Sequence, residues 1–455
     1  MVKLGLVSLG CPKNRVDAEL MLKKLQDAGF EITPYEAEAE VIIVNTCGFI
    51  EDAKTEAIEN ILEVARYKTE DEGKLKALIV TGCLAERYRD EITENIPEVD
   101  AVVGIACNNN IVEIVRRTLN AEKGGYYGPK EELSIEGERL LSTPKYTAYV
   151  KIAEGCDNCC TYCAIPQIRG RFRSRMMQDI IFECMHLAEK GVKEIILVAQ
   201  DTTRYGTDLY GEPKLALLLR NLCKIEGIRW IRVLYTYPDV ITDELIETIA
   251  SEEKVVKYLD IPIQHCNAEI LKRMNRRGTK EDLEALIEKL RANIPGIVLR
   301  TTLITGFPGE TEEQFDELCE FVNKMRFDRL GCFAYSEEED TMAAKFTDQV
   351  DMQLRVDRSE IIMNDQLAIT LQKNEERFGK VLTVLIEGYD DYIKCYFGRT
   401  YADAPDIDGK VFFMTPHPLT IGDFVKVRIT VALEYDLLGE LFEDGEGDSD
   451  NEFTE

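Results

Sequence analysis

At 455 residues, 45% hydrophobic and 31% charged, the chain is expected to form a soluble globular protein of about three domains. No apolar run approaches the roughly 18 residues that cross a bilayer, and Met1 to Leu9 lacks an export-signal pattern, which excludes a membrane protein and points to the cytoplasm. The net charge of −29 repels phosphate and favours a basic macromolecular partner over nucleic acid, and it stays at −22 without the base-free stretch Glu443 to Glu455, read as an acidic disordered tail.

Residues 1–141 alternate strands with helices. Leu4 to Leu9, Val41 to Val44, Leu78 to Thr81 and Ala101 to Val103 read as strands, with helical patterns such as Asn14 to Ala28 and Glu51 to Tyr67 between them. That order predicts an α/β unit with a doubly wound parallel sheet, whose ligands bind beyond the carboxyl ends of the strands. Cys11, Cys47 and Cys83 each follow directly on a strand, 36 residues apart, and each has a glycine beside or close to it. Three thiols at one end of one sheet point to a shared metal site with a coordination position left for a reactant.

Residues 142–376 carry six further strands: Ala148 to Ile152, Glu194 to Ala199, Trp230 to Tyr235, Lys257 to Ile261, Val298 to Ile304 and Arg329 to Phe333. With the helical segments between them they predict a partial (β/α)6 barrel whose chemistry lies at the carboxyl strand ends. Immediately after the first of these strands, Gly155 to Cys163 reads Gly-Cys-Asp-Asn-Cys-Cys-Thr-Tyr-Cys. Cys156, Cys160 and Cys163 are spaced so that one short loop presents three thiolates to one metal centre, again leaving a position for substrate or cofactor.

With no export signal, the 14 cysteines are expected to be reduced thiols. The eight outside the two sets (Cys107, Cys159, Cys184, Cys223, Cys266, Cys319, Cys332, Cys395) read as small, mostly buried hydrophobes. Arg169, Arg171, Arg173 and Arg175 form a concentrated basic run, read as solvated or salt-bridged in preference to an anion site. His265 reads as structural, and Thr311 with Gln314 as a capping pair.

A long amphipathic helix, Arg355 to Phe378, leads to residues 377–442. There Val381 to Glu387, Tyr392 to Gly398, Val411 to Met414, Phe424 to Leu433 and Tyr435 to Phe442 predict a small antiparallel β-barrel. Between Arg377 and Phe442 it carries seven bases against ten acids, so it lacks the basic face of an RNA binder.

The triplet Cys156, Cys160, Cys163 on the first strand of a partial barrel resembles the radical S-adenosylmethionine (SAM) enzymes. The longer stretch, with Ile165-Pro166, Arg169-Gly170 and Arg173-Ser174-Arg175, resembles their methylthiotransferase branch, as do the front cysteines; the terminal barrel resembles the TRAM domain. Tyr335-Ser336-Glu337-Glu338-Glu339 and the run from Gly398 to Pro405 with Ile407-Asp408-Gly409 resemble the RimO type, which modifies an aspartate of ribosomal protein S twelve. Cys159 and Asp340 depart from the pattern, glycine being usual at the latter position.

The resemblance implies two 4Fe-4S clusters, one on Cys156, Cys160 and Cys163 and one on Cys11, Cys47 and Cys83. It implies SAM held among Tyr162, Glu194, Gln200 and Arg300. The reaction it implies adds a methylthio group to the β-carbon of an aspartate, through a 5′-deoxyadenosyl radical, and calls for an electron donor and a sulfur source. A basic ribosomal protein suits the acidic chain. The competing expectations are a tRNA methylthiotransferase and, from another class, a two-cluster electron-transfer protein.

Overall fold

The computed structural model describes residues 1–48, 50–69 and 73–442. The expected acidic tail lies outside the described residues. The chain divides into two compact units. The first comprises Met1–Gly227, Lys272–Arg276 and Ser336–Thr347, and the second the remainder.

The first unit opens with a parallel sheet of β1 (Lys3–Ser8), β2 (Glu31–Ile32), β3 (Val41–Thr46), β4 (Ala77–Gly82), β5 (Ala101–Val103) and β6 (Gly124–Tyr126), ordered β2-β1-β3-β4-β5-β6. Its central strands, Val-Ile-Ile-Val-Asn-Thr and Ala-Leu-Ile-Val-Thr-Gly, are buried at every residue, as strands covered on both faces must be. Ile42 and Val44 enter one core with Ala57, Ile61 and Val64 of the helix Glu51–Ala65. Val41 and Ile43 enter the other, with Met21 and Leu25 of the helix Pro12–Asp27. Pro12 sits in the first turn of that helix, where its missing N–H costs nothing.

The same unit holds β7 (Thr147–Lys151), the short antiparallel pair β8 (Ala153–Glu154) and β9 (Arg173–Ser174), and β10 (Glu194–Val198), parallel to β7. The second unit contains β11 (Trp230–Val233), β12 (Val255–Asp260), β13 (Val298–Thr305) and β14 (Arg329–Ala334), paired in parallel in that order. Six parallel strands with helices between them, two in the first unit and four in the second, match the count expected of the partial (β/α)6 barrel. Thr311 and Gln314 form the expected capping box.

The long helix runs Met352–Glu375, and its buried side is not the apolar stripe that amphipathicity implies. Arg355, Arg358, Gln366, Thr370 and Asn374 are buried beside Ile362 and Ile369. Several of their donors are met by groups that sequence does not reveal: Arg355 donates to the Tyr335 carbonyl at 3.1 Å and Gln366 to the Phe327 carbonyl at 2.9 Å, while Gln366 Oε1 and Asn374 Oδ1 are buried without a partner.

The closed terminal barrel contains β15 (Val381–Asp390), β16 (Cys395–Arg399), β17 (Val411–Met414), β18 (Phe424–Ala432) and β19 (Leu437–Leu441) around Val384, Ile386, Phe413, Val427 and Ile429. Only β17 and β19 are parallel. A closed ring with an odd number of strands cannot alternate direction throughout, so one such pair is required.

Candidate functional site

The front cysteines lie where the carboxyl ends of β1, β3 and β4 converge, and their neighbours are packed against one another. Gly10 has φ 89°, and a methyl group there would stand 2.7 Å from Cys47 Cβ and 3.2 Å from its sulfur. A methyl on Gly48 would stand 2.7 Å from Leu84 Cα, beside Cys83. Bare backbone is therefore what lets the three cysteine turns close together. Asn14 ties two of the strand ends, donating to the Leu9 carbonyl at 3.1 Å and the Thr46 carbonyl at 2.8 Å. Burial pushes the Cys11 thiol up, but the charges of Lys13 and Arg169 and nearby backbone N–H groups outweigh it and lower the pKa. At Cys83 burial prevails and the pKa rises, with Arg169 opposing.

The barrel cysteines lie on the loop that follows β8. Burial raises Cys156 to about 11 and Cys163 far higher, with the negative charge of Cys160 adding to both. The backbone N–H of Asn158 donates to Cys156 Sγ at 3.5 Å, and Arg276 Nη1 stands 4.0 Å from Cys160 Sγ. Such donors suit a thiolate-bound cluster, because burial alone opposes deprotonation and a bound metal with its donors must offset that. Among the described residues no three His, Cys, Asp or Glu side chains are already gathered closely enough to hold an ion. The donor set nevertheless fits iron–sulfur ligation: three soft thiols in each set, on one loop in the barrel and on three strand ends in the front sheet, with none in a disulfide.

Cys159 corrects the expectation of burial. It is exposed, with φ 51°, and its carbonyl accepts from Asn275 at 2.9 Å. Of the other cysteines outside the two sets, Cys184, Cys266 and Cys395 are buried and Cys107, Cys223, Cys319 and Cys332 half-buried.

Gln200, two residues beyond β10, donates to Glu154 Oε1 at 2.8 Å, and its own Oε1 is buried without a partner. An orphan acceptor beside the cysteine loop suits a ligand bearing an ammonium or hydroxyl group. The Tyr162 hydroxyl accepts from Arg276 at 3.3 Å. Arg300 belongs to the second unit, where it bonds Asp260 at 2.9 Å. Burial would lower its pKa, but Asp260, Tyr258 and Asp408 raise it.

Glu194 is not brought to the site. It opens β10 opposite Thr147, the first residue of β7, and accepts from the Thr147 hydroxyl at 3.3 Å. The cysteine loop leaves the other end of these strands, about 13 Å further along at roughly 3.3 Å per residue.

The arginine run is not a free basic patch. Arg169 and Arg175 are buried, at 1% and 3% exposure, and pair with Asp17, Glu154 and Glu183; Arg171 is exposed on Asp157, and Arg173 donates to the Lys130 carbonyl at 3.1 Å. Sequence reading missed Glu154 altogether. It is fully buried at the root of the loop, and its carboxylate accepts from Lys151, Arg169, Gln200 and the Gly155 N–H. Burial would raise its pKa, yet Arg169 and Lys151 hold it well below the ordinary range. Its three-residue spacing from Lys151 was a visible signal.

Residues 3–104 match the family described as Uncharacterized protein family UPF0004, residues 150–322 the Radical SAM superfamily and residues 378–442 the TRAM domain. The chain is 53% identical over 445 residues to the ribosomal protein uS12 methylthiotransferase RimO of Desulforamulus reducens, covering 97% of this chain and 100% of that one. The RimO of Acetivibrio thermocellus is 53% identical, covering 96% and 98%. Among solved structures, the radical S-adenosylmethionine methyltransferase TsrM of Kitasatospora setae superposes with a TM-score of 0.55 at 14% identity, covering 73% of this chain and 72% of that one, a likeness of fold.

Proposed function

This chain belongs to the RimO family of radical SAM methylthiotransferases, and from that premise we propose that it adds a methylthio group to the β-carbon of an aspartate of ribosomal protein uS12. The observation that carries the reading is the near-complete coverage, 97% of this chain and 100% of the relative, at 53% identity. We assign a 4Fe-4S cluster to Cys156, Cys160 and Cys163, and a second to Cys11, Cys47 and Cys83. When bound and reduced, the first cluster with SAM supplies a 5′-deoxyadenosyl radical that removes hydrogen from an unactivated carbon, and the second brings the sulfur that a further SAM methylates.

The residues of the chain bind and orient. The Gln200 acceptor, fixed by Glu154, and the Tyr162 hydroxyl, fixed by Arg276, would receive SAM, with Arg300. Glu194 has no part in this, being held at the far end of its strand. We take residues 1–141 as the front domain, 142–376 as the radical SAM core and 377–442 as the TRAM domain. An electron donor and a sulfur source complete the reaction, and the net charge of −29 favours the basic ribosomal protein.

The test incubates anaerobically reconstituted enzyme, SAM and reductant with uS12, with small ribosomal subunits and with tRNA, followed by mass spectrometry. Methylthio addition to an aspartate of uS12 is expected. Modification of tRNA alone would overturn the substrate assignment.

A further inference from the structure

We propose that Arg169 is a positioning residue that joins the two cysteine sets, holding a sulfur of the front set with one nitrogen and the carboxylate at the root of the barrel loop with the other. The inference rests on the reading that Cys11, Cys47 and Cys83 carry a cluster.

The geometry is that of a fork. Arg169 Nη2 donates to Cys83 Sγ at 3.6 Å and to Asn14 Oδ1 at 2.8 Å. Nη1 donates to Asp17 Oδ2 at 2.9 Å and to both Glu154 oxygens at 3.1 Å. Glu154 in turn accepts from Gln200 at 2.8 Å and from Lys151, which also pairs with Asp17. All four charged side chains are at most 2% exposed. Two acids and two bases already balance, so charge balance alone does not require a guanidinium nitrogen on the thiol. A planar cation with five donors can serve carboxylates on one edge and sulfur on the other, which an ammonium cannot do.

The backbone supports the same bridge. Ile165–Arg169 is a helix of about 6 Å rise that starts two residues after Cys163 and ends on Arg169. Its flank, Ala164 and Ile168, packs directly on Cys83. One short segment thus begins beside a barrel ligand and ends on the partner of a front ligand. A cation hydrogen-bonded to a ligating sulfur stabilises the more negative, reduced cluster, so Arg169 raises the potential of the front site as well as fixing its place.

The test uses the full chain, anaerobically reconstituted, with redox titration followed by electron paramagnetic resonance, thermal unfolding and iron content. Arg169→Gln combined with Asp17→Asn removes one charge of each sign and keeps the buried balance; Arg169→Lys keeps the charge and loses the fork. Both variants should retain the parent's iron. In the double variant the front-cluster midpoint should move to more negative potential, and in Arg169→Lys it should move the same way by less. Methylthio transfer should fall by about tenfold in the double variant. A front midpoint unmoved in both variants makes Arg169 a structural ion-pair partner and overturns the inference alone. A parent protein with a single cluster removes the reading beneath it, and the inference with it.

Discussion

Glu338 is 3% exposed, and its carboxylate meets Arg87 at 2.7 Å, Lys54 at 3.1 Å and the Ser336 hydroxyl at 2.7 Å. Arg87 also donates to the carbonyl of Gly48, next to Cys47, so this group fastens the 336–347 segment to the front cysteine turns. Replacing Glu338 by Gln keeps the shape and one acceptor but leaves two buried cations short of their counter-charge. Breaking a buried pair costs about 3–5 kcal/mol; the retained amide acceptor and the alternative partner Glu51 on Lys54 bring this to about 2–3 kcal/mol. At roughly 2–4 °C per kcal/mol, the first unfolding step should fall by about 4–12 °C. Burial pushes the Glu338 carboxyl up, but hydrogen bonds from Ser336, Arg87 and Lys54 outweigh it and hold the pKa below its ordinary value. Its contribution is therefore complete above the unfolded carboxylate value of about 4.3 and is lost as pH falls through the lower folded value. Urea unfolding of parent and E338Q between pH 7 and pH 3 checks this. A gap below about 0.5 kcal/mol at neutral pH, or one unchanged in acid, refutes the reasoning.

Cys160→Ser should abolish barrel-cluster binding, read as iron content and visible absorbance, whereas Cys159→Ser, on an outward-facing thiol, should leave both unchanged. Gly10→Ala, which forces a methyl against Cys47 at a positive φ, should lower iron bound by the front set and leave SAM cleavage intact. Asp340 stands at φ 62°, which explains why glycine is usual there. Asp340→Gly should therefore change stability by less than about 1 kcal/mol, relief of strain being offset by the entropy of the unfolded chain, and denaturant midpoints will show it.

Both cysteine sets stood out in the sequence because each repeats one residue type at fixed places, whether spaced on a loop or standing at successive strand ends. The front sheet was legible for a related reason: Val41–Thr46 and Ala77–Gly82 are apolar runs too continuous for a surface strand. What escaped were the buried charges. Asp17 and Arg169 lie 152 residues apart, and nothing local distinguishes an arginine destined for an interior ion pair from one facing water. Glu194 came from the resemblance, although the strand read from Glu194 to Ala199 already set it at the amino end, away from the carboxyl ends. Its pairing with Thr147, the first residue of β7, agrees.

The barrel cysteine loop owes its shape to segments remote in sequence. Two short returns, Lys272–Arg276 and Ser336–Thr347, belong to the first unit although their flanks belong to the second. Thr161 donates through its N–H to the Met274 carbonyl at 3.0 Å and through its hydroxyl to the Arg273 carbonyl at 2.8 Å, while the Ala343 N–H donates to the Thr161 carbonyl at 2.9 Å. Asn275 donates to the carbonyls of Asn158 and Cys159 at 3.3 and 2.9 Å, bracketing the residues before Cys160. A loop without its own secondary structure holds ligands in register only if its carbonyls are fixed from outside. Asn275 has φ 56°, so alanine would confound strain with lost bonds, and Asn275→Gly is the clean substitution. It removes two exposed hydrogen bonds worth about 1 kcal/mol together, and if that stability is felt at the cluster, release of iron to a chelator should quicken by roughly fivefold. An unchanged release rate, with the protein equally folded, would show that the loop holds its thiolates without Lys272–Arg276.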